Sequence, residues 1–184
     1  MTKVAIMVGS LRHESYSRKV AKNVTELFPE GYEAEFISIG TLPLYNQALD
    51  EDHDVPDPWV TFREKVKACD AVLFVTPEYN RSVPGVLKNA IDIGSRPVQD
   101  SIWKGKPAAI ISNSPSNLSG FGANHHLRQS LVFLDMPIVQ QPEVYLANVT
   151  KLLDDNGKFN NEDTVKFLQT FVDKFVDLIN KHKN

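Results

Sequence analysis

Ser10, Arg12, Ser15 and Ser17 crowd into eight consecutive positions, directly behind an unbroken apolar run over residues 4–8 and a single glycine, Gly9. Serine hydroxyls and a guanidinium are hydrogen-bond donors, and the guanidinium adds a full positive charge. From Tyr16 onward Val20, Val24, Leu27 and Phe28 recur at helical spacing, so the loop runs into a helix N-terminus. The unpaired N–H groups and partial positive charge of such a terminus suit an anion, above all a phosphate. Ser15 or Ser17 would equally serve as a helix cap. The chain has no Gly-x-x-x-x-Gly-Lys-Ser/Thr and no Gly-x-Gly-x-x-Gly, so neither the triphosphatase loop nor the dinucleotide fingerprint is present. Its one cysteine, Cys69, is far from the loop. The loop binds a phosphate without attacking it.

Two further stretches carry polar residues in tight connections. Residues 77–82 hold Pro77, Glu78, Tyr79, Asn80, Arg81 and Ser82. The proline stiffens the start, Tyr79 offers a flat apolar face, and Asn80, Arg81 and the backbone amides offer donors. Surface packing or a subunit contact would use Tyr79 and Arg81 equally well. Residues 112–122 supply small residues, Ser114, Ser119, Gly120 and Gly122, which let backbone approach a planar ring closely. A phosphate tail at the first stretch and a flat heteroaromatic ring across the other two describe flavin mononucleotide (FMN).

The elements that must bring these stretches together follow from hydrophobic periodicity. Short apolar runs over residues 4–8, 71–75 and 108–111 read as strands buried on both faces, with further strands over 34–39 and 138–147. Helical spacing places Trp59, Phe62 and Val66 on one face, and Val86, Leu87, Ala90 and Ile91 on another, with Pro84 as that helix's first residue. Leu127, Leu131 and Leu134 mark a further helix. The last helix, opened by Asn160 or Asn161, buries Val165, Leu168, Phe171, Val172, Phe175 and Ile179. Strands alternating with helices predict a parallel sheet covered on both sides. The expected architecture is a flavodoxin-like α/β three-layer sandwich with a five-stranded parallel sheet in the order 2-1-3-4-5. Its topological switch point then lies where the loops after strands 1 and 3 part, which is where ligands bind. With no long linker and no repeat, residues 1–184 read as one domain.

Composition excludes several classes. A net charge of −3 argues against a nucleic-acid partner. One cysteine permits no intrachain disulfide and fits a reducing cytoplasm. No apolar stretch reaches membrane length. The acidic run Asp50, Glu51, Asp52, His53 and Asp54 lacks calcium-loop spacing and reads as a solvated loop, so no metal is expected.

Gly9-Ser10-Leu11-Arg12 with its following serines, then Pro77-Glu78-Tyr79-Asn80 and the continuation Ser82-Val83-Pro84-Gly85-Val86-Leu87-Lys88-Asn89-Ala90-Ile91-Asp92, resemble the NADPH-dependent FMN reductase family. The resemblance spans roughly residues 3–147, and its second motif is the more specific. It implies a flavodoxin-like fold, bound FMN, NAD(P)H as co-substrate, and a quinone, azo compound or similar small molecule as acceptor. It implies that Ser10, Arg12, Ser15, Tyr16 and Ser17 surround the phosphate, and that Pro77, Glu78, Tyr79, Asn80 and Arg81 line the ring, with Ser114 from the third loop. It also implies a homodimer or homotetramer, for which Leu42, Leu44, Tyr45 and the start of the helix after Pro84 are the expected interface. The third loop departs from the family pattern. Ser114-Pro115 is kept, but Ser116 stands for a glycine, Gly120-Phe121-Gly122 for a glycine pair, and Ala123, Asn124, His125 and His126 where an arginine is usual. No catalytic side chain is expected, because the flavin carries the electrons. A flavodoxin-type electron carrier and a flavin-free interaction domain would share the same fold.

Overall fold

In a computed structural model, which describes residues 1–183, the sheet is built from β1 (Thr2–Val8), β2 (Tyr32–Phe36), β3 (Ala71–Thr76), β4 (Ala108–Asn113) and β5 (Val144–Leu146). All neighbours pair in parallel, in the order β2-β1-β3-β4-β5. Alternate residues of the central strands feed two separate cores. Val4, Ile6 and Val8 of β1, with Leu73 and Val75 of β3, pack under α1 (Tyr16–Thr25) and α7 (Glu162–His182). Ala5, Met7, Val72 and Phe74 pack on the other face, under α3 (Asp57–Lys67), α4 (Gly85–Gly94) and α5 (Phe121–Phe133). Both faces of β1 and β3 are therefore buried, which is why these strands show no polar alternation. Two short helices, α2 (Gln47–Glu51) and α6 (Val149–Leu152), complete the chain. Among the described residues no helix is long and apolar enough to cross a membrane.

Several boundaries differ from the sequence reading, each for a local reason. β2 runs over Tyr32–Phe36 rather than 34–39, although the Ile37 N–H still donates to the Ile6 carbonyl at 3.1 Å. The expected strand over 138–147 is divided. Ile138 makes one isolated bridge to Ala108, and only Val144–Leu146 joins the sheet after Pro142, whose ring nitrogen can donate no ladder bond. Pro84 precedes α4 in an extended conformation instead of opening it. The last helix does open at Asn161, whose side chain accepts from the Asp163 and Thr164 N–H groups.

The acidic run is not a solvated loop throughout. Asp50 lies in α2, and its carboxylate accepts from both terminal nitrogens of Arg63, at 2.9 and 3.0 Å, with the two side chains only 13% and 11% exposed. Arg63 also donates through Nε to the Ile93 carbonyl, tying α3 to the end of α4. Leu42 and Tyr45, expected at an interface, pack onto their own core. Tyr45 stacks on Trp59 with ring centroids 5.4 Å apart, and its N–H donates to the buried Asn89. Leu44 between them remains 81% exposed.

Candidate functional site

The carboxyl ends of β1, β3 and β4 lie side by side, and the three loops that leave them enclose one cleft of about 260 Å³. The first loop and its helix contribute Ser10, Arg12, Tyr16 and Ser17. The second contributes Pro77, Glu78 and Tyr79, and the third Ser114 and Pro115 with Asn113 behind them. Larger hollows exist, one of about 320 Å³ beside Val98 and Phe133, one of about 320 Å³ between Leu42 and Phe62 past the end of β2, and one of about 460 Å³ at the opposite end of the sheet. None of the three gathers the loops that leave β1, β3 and β4. The switch point of the fold is where chemistry-bearing residues converge.

At the first loop the donors divide into engaged and unengaged. Ser15 is the N-cap of α1: its hydroxyl accepts from the Arg18 N–H at 3.1 Å, and the side chain is buried. Ser17 is also buried, its hydroxyl donating to Asn113 Oδ1 at 3.2 Å and accepting from Nδ2 at 3.0 Å. Ser10 and Arg12 make no side-chain hydrogen bond or ion pair among the described residues. The Arg12 guanidinium rests over the Tyr16 ring, 5.4 Å from its centroid. Glu14, the nearest carboxylate in sequence, is paired with Lys19, which holds its acid below the usual range, and it lies on the exposed side. The first loop thus offers an uncompensated cation, a free hydroxyl and the N–H groups of a helix start, a donor set that fits a phosphate.

The second loop is a tight two-residue hairpin. Tyr79 and Ser82 exchange both backbone hydrogen bonds at 3.0 Å, and Asn80 and Arg81 between them have φ of 50° and 66°. Both residues are exposed and neither lines the cleft, while Tyr79, 52% exposed, presents its ring at the mouth. Neither the Asn80 nor the Arg81 N–H donates to another described residue. Both oxygens of the Glu78 carboxylate are engaged: it accepts from Arg81 Nη1 at 3.0 Å and from the Ala123 N–H at 3.1 Å. On the third loop the Ser114 hydroxyl is hydrogen-bonded to Ser116 at 2.9 Å. An apolar wall of Pro77, Tyr79 and Pro115 with unengaged amides nearby fits a flat heteroaromatic ring.

One residue of the cleft escaped the sequence reading. Asn113 ends β4, is 2% exposed, and besides Ser17 it contacts the Thr76 carbonyl through Nδ2 at 3.4 Å. The signal available was the change from Ile110-Ile111 to Ser112-Asn113 inside one strand. One reactive side chain lies apart from the cleft. Cys69 is buried, and burial first, then Glu35, pushes its thiol up to about 11. Among the described residues no cluster of three or more His, Cys, Asp or Glu could hold a metal ion.

With this geometry in hand the comparisons are specific. The family model for NADPH-dependent FMN reductase matches residues 2–151. A quinone reductase of Pseudomonas putida is 56% identical over 176 residues, covering 96% of this chain and 94% of that protein. A 2-hydroxy-1,4-benzoquinone reductase of Burkholderia sp is 44% identical, covering 94% and 93%. Among solved structures, the flavoenzyme NAD(P)H:(acceptor) oxidoreductase FerB of Paracoccus denitrificans superimposes with a TM-score of 0.91 at 41% identity, covering 99% of each chain.

The floor of the cleft gives a first expected outcome. Asn113→Ala strands the Ser17 hydroxyl in buried surroundings, and an unsatisfied buried polar group costs about 1–3 kcal/mol. Urea unfolding should register a loss of that size. An unchanged midpoint would mean that the Ser17 hydroxyl finds another partner and the amide is dispensable.

Proposed function

The chain belongs to the NADPH-dependent FMN reductase family, and from that premise we propose that all 184 residues form one FMN-binding unit. It works in the cytoplasm, taking reducing equivalents from NAD(P)H and delivering them to a quinone or chemically similar small acceptor. The observation that carries this reading is the single cleft at the switch point, cationic and donor-rich at the first loop and apolar and flat at the other two. The relatives named as quinone and benzoquinone reductases support the choice of acceptor. FMN, when bound, supplies the two-electron carrier that this chemistry requires. The direct test is the visible spectrum of the purified chain, followed by NAD(P)H oxidation with a benzoquinone. Flavin bands without quinone-dependent turnover would reject the acceptor, and no flavin binding at all would reject the whole reading.

The protein's own part is binding and orientation. Arg12 and the first-turn amides of α1 neutralise the phosphate, Ser10 donates to it, Tyr16 backs the guanidinium, and Ser15 and Ser17 hold the helix start in place from beneath. Pro77, Tyr79 and the amides of Asn80 and Arg81 orient the ring, with Glu78 and Ser114 supporting the loops on either side. No side chain is assigned as a proton donor. His125 shares a 3.0 Å hydrogen bond with Tyr145, whose hydroxyl burial and then Glu143 push up to about 12, so it stays protonated. His126 is hydrogen-bonded to Ser82 at 2.9 Å. Neither histidine lines the cleft.

Three outcomes follow from this assignment. A charge-assisted contact is worth about 1.5–3 kcal/mol, roughly 10- to 150-fold in affinity. Arg12→Ala should therefore weaken FMN by that factor and leave riboflavin, which lacks the phosphate, nearly unaffected. Equal losses for both ligands in a calorimetric titration would show that Arg12 serves the fold of the loop.

His125→Ala, and separately His126→Ala, should keep quinone turnover within about tenfold, a barrier change of roughly 1.4 kcal/mol. Removing a true general acid–base catalyst costs about 10²- to 10⁴-fold. A fall of that order at unchanged flavin content would place a proton donor in α5.

The chain assembles as a homodimer or homotetramer through a two-fold contact that includes Leu44, the exposed one of Leu42, Leu44 and Tyr45. Sedimentation at micromolar concentration should give a multiple of the chain mass, and Leu44→Glu should shift it toward the monomer. A wild-type monomer that retains flavin would refute this.

A further inference from the structure

We propose that Glu78 is a positioning residue for the ring-binding loop: its carboxylate fastens the left-handed Asn80-Arg81 turn to the N-terminus of α5. The proposal rests on the flavin reading above but assigns Glu78 a different task from touching the ring. Its two oxygens face in different directions. Oε1 accepts from Arg81 Nη1 at 3.0 Å, inside the turn, and Oε2 accepts from the Ala123 N–H at 3.1 Å, in the first turn of α5. The side chain is only 10% exposed although it belongs to a surface loop.

The turn requires an external hold. Arg81 at φ 66° and Asn80 at φ 50° occupy a region that residues with a Cβ avoid, and arginine has no local side-chain bond to the backbone to offset the cost. Such a conformation persists only where the surroundings over-determine it. Here three features do so. Glu78 bridges the turn and the helix, the N-terminal amide and helix dipole favour its negative charge, and His126 hydrogen-bonds Ser82 at the hairpin's far end. Packing leaves no slack between the two parts. A Cβ on Gly122 would stand 2.9 Å from the Arg81 carbonyl oxygen and 3.0 Å from Glu78 Oε2. The second loop, which reaches the cleft, and the helix that follows the third loop are thereby fixed as one body.

Two substitutions approach this contact from opposite sides. Glu78→Ala removes the acceptor, and Gly122→Ala, harmless in a helix otherwise, forces the two parts apart. In the flavin-free chain, exchange of the hydrogen-bonded backbone amides of Tyr79, Ser82, Ala123 and Asn124 should rise about fivefold or more in each variant, the scale of a lost helix cap, with β1 and α7 unchanged. FMN and riboflavin affinities should fall by one common factor, also about fivefold or more, since the turn serves the ring and not the phosphate. Glu78→Gln keeps an oxygen for the Ala123 N–H and should recover most of both losses. Unchanged exchange in Glu78→Ala and Gly122→Ala overturns the proposal. So does a loss confined to FMN, or a Gln variant as impaired as Ala with normal exchange, which would make the charge act on the ligand directly. Exchange that rises across β1 and α7 as well makes Glu78 a general stability element and equally refutes it. Because the exchange measurement needs no ligand, failure of the wild-type chain to bind either flavin would reject the flavin reading and leave the hold itself decided.

Discussion

A buried amide at the end of β4 is the constraint on which the arrangement of the cleft depends. Asn113 has almost no access to water, so each of its polar atoms must find a partner in the chain. It finds them in the Ser17 hydroxyl at the start of α1 and the Thr76 carbonyl at the end of β3. A hydrogen bond tolerates a few tenths of an ångström, and three elements that share one amide cannot drift independently. The loops after β1, β3 and β4 therefore leave the sheet at fixed relative positions. Apolar packing alone would hold the layers together without setting this register of loop against loop, because hydrophobic contacts carry no direction.

Satisfying donors beneath the cleft and leaving them free at its rim are opposed demands, and the first loop meets both by alternation. Ser15 and Ser17 turn inward, one as cap and one as partner of Asn113, and are lost to any ligand. The side chains of Ser10 and Arg12, further out, have no hydrogen-bond or ion-pair partner among the described residues, and Glu14, the carboxylate nearest Arg12 in sequence, is paired with Lys19. A loop with every hydroxyl free would leave the helix start uncapped. One with every hydroxyl engaged would have nothing to offer an anion.

Most of the frame was legible because its signals are local. Strands buried on both faces show uninterrupted apolar runs, helices show their stripe, and alternation of the two fixes a parallel sheet. The convergence of three polar loops followed from strand order alone. What was not legible depends on partners distant in sequence. Asp50 looked like one more acid in a solvated run, and only Arg63, thirteen residues on, makes it a buried ion pair. Glu78 looked like a cleft acid, and only the N-terminus of α5, forty-five residues on, reveals a bridge. Leu42 and Tyr45 were apolar residues in a loop, a pattern that core packing and subunit contact produce alike, and only Trp59 and Asn89 reveal that Tyr45 also packs within its own chain. Ser15 and Ser17 were legible as donors, but whether a donor faces a ligand or its own fold is a matter of direction, which residue type does not encode.

The unusual third loop is explained by the same geometry. Where a glycine pair is common, this chain has Gly120-Phe121-Gly122, and the large residue is tolerated because the two glycines serve separate needs. Gly120 holds φ of 76°, with Ser112 only 3.0 Å from where its Cβ would be, so it enables the turn into the helix. Gly122 is helical, and its need is room for the Glu78 carboxylate and the Arg81 carbonyl. On the helix Phe121 is rotated by about 100° from Gly122. Phe121 accordingly turns to the outer edge of the sheet, where its ring lies 4.2 Å from His125 and 5.4 Å from Tyr145. Bulk at this position is absorbed on the β5 side and does not press on the second loop. A side chain between the two glycines thus leaves the contacts of Glu78 and Arg81 with the start of α5 intact.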